Sequence, residues 1–302
     1  LPFPGGESRL HARAMSLPFV VLRRRFARRF GPQLLLLPGL AFLLLVFAGP
    51  ILMLLSRSLF DPDFTLEHYR RMFEVPEYLH VMWSSFQIAA LATALSLAAG
   101  YPLAYVLNRA SPTWRAVIFT LVLLPFWTNI LVRCYAWMLV LQNTGVVNRA
   151  LVDWLGLLQK PAPLVFNFTG TVIGMVHYLL PPMVLILFSV MRAIDLRLVE
   201  AAASLGADPW RGFRRIFLPL SLPGVRGATT LVFILGLGFF VTPALLGGRK
   251  EITIAMLIDT QFSEMLAWGF GSALSVALLT VTLFGLTVYY WFLGRDAVRV
   301  AG

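Results

Sequence analysis

Six long apolar runs, separated by short polar segments, constrain this chain more than any other feature of its sequence. The runs extend over residues 34–55, 86–107, 116–141, 169–191, 225–246 and 268–292. Each contains at least 22 residues, and a helix rises about 1.5 Å per residue, so each run is long enough to cross a hydrocarbon core about 30 Å thick. The sequence therefore predicts an all-α integral membrane protein with six transmembrane helices.

The composition supports a membrane protein and argues against a soluble one. Of the 302 residues, 59% are hydrophobic and only 13% are charged, which is too few polar side chains to cover a soluble domain of this size. The net charge of +11 is typical of nucleic-acid-binding proteins as well. However, the arginines lie between the apolar runs and form no basic domain, so we expect contact with membrane lipid and not with nucleic acid.

The distribution of Lys and Arg predicts the orientation. If the N-terminus is cytoplasmic, the inside segments carry 17 Lys and Arg residues and the outside segments carry 7. The positive-inside rule then places both termini in the cytoplasm. The predicted organisation is a basic cytoplasmic segment, 1–33, a six-span domain, 34–293, with a cytoplasmic loop at 192–226, and a cytoplasmic tail, 294–302.

The loop at 192–226 contains local signals for two short helices. Asp195 is a good N-cap for a helix over residues 196–205, and Gly206 follows where a left-handed residue would end that helix. Asp208 and Pro209 are a cap and a first helical residue, so they predict the start of a second helix. We expect Pro219 and Pro223 to end this second helix at Phe217, before the fifth span.

The same loop carries a motif of seven fixed residues: Glu200, Ala201, Ala202, Gly206, Ile216, Leu218 and Pro219. The motif resembles the signature of binding-protein-dependent ABC importer permeases. That resemblance implies that residues 200–219, called the docking loop below, contact a separate ABC ATPase dimer. An interfacial helix without a protein partner is the alternative interpretation of such an amphipathic segment.

No nucleotide-binding motif accompanies the docking loop. A P-loop requires Lys followed by Ser or Thr, whereas Lys160 precedes Pro161 and Lys250 precedes Glu251. We therefore expect this chain to be a transport subunit and not an enzyme, with no cofactor of its own. ATP and Mg²⁺ would be used by the partner ATPase.

Three further segments are similar to spermidine/putrescine permeases: residues 124–129 with Arg133 and Tyr135, residues 143–148, and residues 246–248. This resemblance covers nearly the whole chain. It implies the type I ABC importer fold, the first of two homologous permease subunits, and a bacterial inner-membrane location. It also implies a periplasmic substrate-binding protein and a polyamine as cargo.

The candidate translocation path centres on the third and fourth spans. Arg133 is the only charged residue well inside a span, and an intramembrane charge is usually paired or functional. We expect Asn129 and Arg133 to be structural or gating residues. Trp127 and Tyr135 are candidate lining residues, although aromatic side chains commonly only pack between helices. His177 and Tyr178 add polar groups at a similar depth, and His177 could equally be a core histidine.

Several observations leave the cargo and the class of transporter open. The six predicted spans contain no Asp or Glu, although carboxylates would help to bind a polycation. An importer of the same type could carry an opine, an amino-acid derivative, a phosphonate or a metal chelate. A gradient-driven secondary transporter would need an ionisable relay in the spans, and a hydrolase would need a nucleophile motif. Neither is found, and the single Cys134 and four histidines show no metal-ligand spacing.

Overall fold

The computed structural model describes residues 36–293, and this part of the chain contains helices and no β-strand. Its helices are numbered here in chain order. They are α1 Leu37–Arg57, α2 Glu67–Glu74, α3 Pro76–Arg109, α4 Pro112–Leu123, α5 Ile130–Leu141, α6 Val146–Arg149, α7 Phe168–Arg192, α8 Arg197–Ser204, α9 Pro209–Leu237, α10 Val241–Leu246, α11 Ile254–Ser263 and α12 Trp268–Leu293. The predicted N-terminal segment and C-terminal tail lie outside the described residues.

Among residues 36–293, six helical stretches are long and apolar enough to cross a membrane, which confirms the predicted number of spans. Five of them are α1, α3, α7, α9 and α12, and the sixth runs through α5 and α6 as Ile130–Trp154. The apolar helix α4, extended by a 3₁₀ turn at Leu124–Trp127, is shorter. The helix α1 belongs to a separate compact unit that ends at Arg57, and the remaining helices form the second unit.

The third predicted span, 116–141, is broken in the structure. After the 3₁₀ turn, Thr128 and Asn129 have ψ angles of 146° and 138°, which are not helical, and α5 begins at Ile130. Pro125 lies in the tight turn, but a proline alone does not break a helix in this chain, since Pro102 and Pro181 lie within continuous helices. The run is two helices joined by a two-residue break.

The fifth predicted span, 225–246, is wrong at both ends. Helix α9 begins at Pro209 and ends at Leu237, while residues 241–246 form the separate helix α10. Pro219 and Pro223 do not end the helix, which continues through both of them. A π turn at Phe213–Phe217 directly precedes this stretch. The second helix of the loop and the fifth span are thus one element.

Helix α7 is the centre of the second unit, since 56% of its most apolar stretch is buried. It packs between α3 and α9 through side chains such as Leu179, Met183 and Leu187, none of which is exposed. A Cβ on Gly100 of α3 would lie 2.9 Å from Met183, and one on Gly224 of α9 would lie 2.7 Å from Val190. Glycine at these positions permits the close helix contacts that hold a membrane bundle together.

The opposite end of α3 packs against a smaller apolar cluster. Met72 of α2, Met82 of α3, Ile254 of α11 and Phe270 of α12 are buried together. Ser85 of α3 accepts a hydrogen bond from the Ile254 N–H at 2.7 Å and so fixes the start of α11. This cluster closes the end of the bundle that is predicted to be periplasmic.

Candidate functional site: a docking loop and a broken span

The first half of the docking loop is built by local capping. Asp195 Oδ1 accepts a hydrogen bond at 3.0 Å from the N–H of Arg197, the first residue of α8. Gly206 has a φ of 86°, and the N–H groups of Gly206 and Ala207 bond the Ala203 and Ala202 carbonyls at 2.9 and 3.0 Å. This is a Schellman motif, in which the left-handed residue is normally glycine. The structure therefore has the predicted turn.

The second half of the loop starts with the predicted cap. Asp208 Oδ1 accepts a hydrogen bond from Arg211 N–H at 2.8 Å, and Pro209 is the first helical residue of α9. The second carboxylate oxygen of Asp208 lies 3.1 Å from Arg211 Nε. This ion pair is exposed, so it contributes little to stability by itself. The cap and the proline together fix the direction in which α9 leaves the turn.

The docking loop presents an exposed surface with small and large apolar residues side by side. Glu200 and Ala201 are exposed and Ala202 is half-buried, while the Leu205 and Trp210 side chains are 90% and 65% exposed. A notch of about 220 Å³ lies beside the turn and is bordered by Ala202, Gly206, Arg211 and Arg215. Large exposed apolar side chains around a notch are typical of an interaction surface.

The remaining motif residues lie in α9 and not in the turn. Ile216 is in the π turn, and Leu218 and Pro219 are the first residues after it. Ile216 and Leu218 are half-buried, whereas Pro219 is exposed. The two halves of the loop meet at Gly212, where a Cβ would come within 3.1 Å of Val199. The seven motif residues are therefore parts of one folded hairpin of helices.

Aromatic side chains connect the docking loop to the end of α3. The Tyr105 ring makes edge-to-face contacts with Phe213 and Phe217, at centroid distances of 5.4 and 5.0 Å. The Arg109 guanidinium lies 4.7 Å above the same Tyr105 ring. This cluster was not among the contacts predicted from the sequence. A usable signal was present, since Tyr101 and Tyr105 near the end of the second predicted span, like Phe213 and Phe217 in the docking loop, are spaced by four residues.

The break between α4 and α5 is also capped. Asn129 Oδ1 accepts a hydrogen bond from Leu131 N–H at 2.8 Å, so Asn129 is the N-cap of α5. Thr128 Oγ1 donates to the Pro125 carbonyl at 2.7 Å. A break leaves backbone N–H and C=O groups without their partners in the helix, and these two bonds supply partners for some of them. Backbone groups in hydrocarbon surroundings need such partners from the protein.

Arg133 donates to two backbone carbonyls at the break. Its side chain is nearly buried, with the residue 8% exposed. One terminal nitrogen donates to the Pro125 carbonyl and, at 2.9 Å, to the Thr128 carbonyl, while Nε lies 3.4 Å from Thr128 Oγ1. The guanidinium carbon lies 5.5 Å from the centre of the Tyr178 ring. Arg133 therefore contacts the backbone on the N-terminal side of the break, and its structural or gating role stays a prediction.

A second helix break meets the first at Tyr178. The Tyr178 ring stacks on Phe239 at 4.2 Å and lies 6.4 Å from Phe126. Phe239 is in the interruption between α9 and α10, and Phe126 is in the 3₁₀ turn before the first break. Tyr178 of the central helix therefore contacts both places where the bundle departs from regular helix.

The other predicted path residues divide into buried and exposed positions. The His177 ring packs edge-to-face on Trp137 at 5.3 Å, and its buried Nδ1 has no hydrogen-bond partner among the described residues. Trp127 and Tyr135 are 86% and 57% exposed. Of the six predicted residues, Arg133 and Tyr178 are in contact at the break, and Trp127 and Tyr135 lie on the surface of this chain.

The comparison with protein-family models gives one match, the binding-protein-dependent transport system inner membrane component, over residues 92–295. The chain is similar to two curated relatives, both named spermidine/putrescine transport system permease protein PotB. The protein from Haemophilus influenzae is 37% identical over 75% of this chain and 78% of the relative. The protein from Escherichia coli K12 is 35% identical over 82% of this chain and 91% of the relative.

A solved structure supports the fold. The chain resembles a chain in the crystal structure of a bacterial alginate ABC transporter, in complex with its alginate pentasaccharide-bound periplasmic protein. The TM-score is 0.70, and the match covers 86% of this chain and 94% of that chain. The sequence identity is 19%, so this likeness concerns the fold alone.

Proposed function

This chain belongs to the family of binding-protein-dependent transport system inner membrane components, a multi-pass permease subunit of an ABC importer, and from that premise we propose that its docking loop binds a separate ATPase. The observation that carries the proposal is the Schellman turn at Gly206 with the exposed Leu205 and Trp210 side chains around it. Three arginines, Arg211, Arg214 and Arg215, give this surface a positive charge that suits acidic groups on a soluble partner.

The ATPase partner would supply the chemistry that this chain lacks. Nucleotide and Mg²⁺ would bind an ABC ATPase dimer, one subunit of which contacts this docking loop. A second, homologous permease would complete the path across the membrane, and a periplasmic substrate-binding protein would deliver the cargo. The ordered helix hairpin supports this arrangement because an ordered surface loses less conformational entropy when it docks.

The proposed cargo is a polyamine. The names of the two relatives, each at least 35% identical over three quarters or more of this chain, support this choice. We place the path beside the break at Thr128 and Asn129. Arg133, His177 and Tyr178 would lie next to it, and the exposed Trp127 and Tyr135 would face the second permease across it.

The docking proposal is tested by Gly206→Val. A β-branched side chain at a φ of 86° is strained by about 1–3 kcal/mol, so the turn should change shape. We expect ATP-driven uptake in whole cells to fall by about tenfold or more while the amount of protein in the membrane stays normal. Gly227→Val is the matched control, because Gly227 lies in α9 with open space around its Cβ position. Normal uptake by Gly206→Val would contradict the proposal.

The cargo is tested on the cognate substrate-binding protein. Putrescine and spermidine should bind it and stimulate ATP hydrolysis by the reconstituted complex. Binding of an opine, an amino-acid derivative, a phosphonate or a metal chelate, with no binding of either polyamine, would overturn the cargo and leave the docking loop untouched.

A further inference from the structure

Arg133 is a buried cation without an anion. No carboxylate of the described residues lies within salt-bridge distance of it, and the predicted spans contain no Asp or Glu at all. A charge at membrane depth is costly and is normally paired with an opposite charge or with backbone carbonyls. Arg133 has backbone carbonyls as partners and, within residues 36–293, no carboxylate. The groups around its positive charge are therefore all uncharged.

The ligands of this site are not specific to arginine. Two backbone carbonyls, the Thr128 hydroxyl and the face of Tyr178 surround the guanidinium. Carbonyl oxygens accept hydrogen bonds from any ammonium group, and an aromatic face attracts any organic cation. The carbonyls are accessible to a side chain because Thr128 has extended backbone and lies outside both helices. The break therefore creates a cation site that a continuous helix would not have.

One further polar atom without a partner among the described residues belongs to the residue next to Tyr178. His177, which precedes Tyr178 in α7, has a buried Nδ1 with no hydrogen-bond partner in the described part of the chain. In a neutral imidazole this nitrogen can accept a hydrogen bond from an ammonium group. Phe239 stacks on the Tyr178 ring with the ring centres 4.2 Å apart, so the second helix break also contacts Tyr178.

We propose that the break at Thr128 and Asn129 is a binding site for an ammonium group of the cargo, and that Arg133 is its built-in occupant, which the cargo displaces. The inference rests on the proposed function, in which the cargo is a polyamine. It explains how a path whose spans contain no carboxylate can carry a polycation. Neutral ligands bind an ammonium group weakly, and the neighbouring positive charge of Arg133 promotes its release, so the cargo is not trapped.

The test measures cation binding to the whole complex in lipid nanodiscs, with both permeases and the ATPase but without the substrate-binding protein. Methylammonium and putrescine are the probes. In Arg133→Gln the competing charge is gone, so both probes should bind at least about tenfold more tightly than to the unmodified complex. Arg133→Lys keeps a cation at the site, and its affinity for both probes should stay close to that of the unmodified complex.

Arg115→Gln is the matched control. The Arg115 guanidinium also donates to backbone carbonyls, those of Leu107 and Ala110 at 3.0 Å each, and lies 5.9 Å from the Phe188 ring. It is located at the junction of α3 and α4, away from the break. The substitution changes the net charge by the same amount, so Arg115→Gln should not increase the affinity for either probe.

Two results would overturn the inference. One is equal probe affinity in Arg133→Gln, Arg115→Gln and the unmodified complex. The other is failure of Arg133→Gln to assemble even when guanidinium ion is present during preparation, because a site that the cargo empties and refills must tolerate a substitute cation. If methylammonium binds as expected and putrescine does not, the cation site stands and the polyamine cargo fails.

Discussion

The turn at Gly206 and the break at Thr128 and Asn129 interrupt helices in two different ways. At Gly206, the hydrogen bonds that shape the turn come from neighbouring residues of the loop: a Schellman motif and an aspartate cap, followed by a proline. At the break, the local Asn129 cap is supplemented by the buried Arg133 and by Tyr178 of another helix. Water can satisfy what an exposed turn leaves open, whereas a break among membrane helices needs additional donors from the protein.

The largest expected effect comes from removing those donors. Arg133→Leu would leave the Pro125 and Thr128 carbonyls without their charged partner, and hydrogen bonds to charged groups contribute about 1.5–3 kcal/mol each. We expect a loss of about 3 kcal/mol of stability, measured by thermal unfolding of the purified complex. Tyr135→Leu, two residues away and exposed, is the control. Equal melting temperatures would show that the break does not depend on Arg133.

The two N-caps allow a direct comparison of the regions. Asn129 and Asp208 each accept a backbone hydrogen bond at 2.8 Å, and removal of such a cap typically costs about 1 kcal/mol. Asp208→Ala should cost about that much, since water can replace the carboxylate. Asn129→Ala should cost about 2 kcal/mol, at the upper end of the range, because this cap lies within an apolar run that is predicted to cross the membrane. Equal losses in the two variants would show that both regions have similar surroundings.

The smallest effects on stability are expected for exposed side chains. Leu205→Ala and Trp127→Ala should each change stability by less than about 0.5 kcal/mol, since these side chains are 90% and 86% exposed. Their functional effects should differ. Leu205→Ala should weaken retention of the ATPase during purification, and Trp127→Ala should not. Loss of the ATPase from the Trp127→Ala complex would contradict the division of roles between the two regions.

The same contrast explains what could be predicted from the sequence. The docking loop was predictable because Asp195, Gly206 and Asp208 act on backbone groups a few residues away. Pro125 did not identify the break, because Pro102 and Pro181 lie inside unbroken helices. What distinguishes the break is Asn129, a capping residue within an apolar run, followed four residues later by Arg133. The contact with Tyr178 depends on how α5 and α7 pack, which no local pattern contains.

The prediction for the end of the loop failed for a related reason. Pro219 and Pro223 were expected to stop a helix, and in an isolated helix they would weaken it. Here the π turn and the packing of Phe217 against Tyr105 hold the segment in place. Tertiary contacts thus override a local signal at the point where the loop enters the bundle.

The continuity of α9 has a consequence for how this region can change in length. Its 29 residues form one helical stretch about 44 Å long, which includes the π turn at Phe213–Phe217. One inserted residue between Leu218 and Leu237 would rotate the Gly206 turn by about 100° relative to the membrane half of the helix. Deletions and insertions in α9 should therefore be rejected in a random library, while the exposed non-helical stretch at 159–161 should accept them.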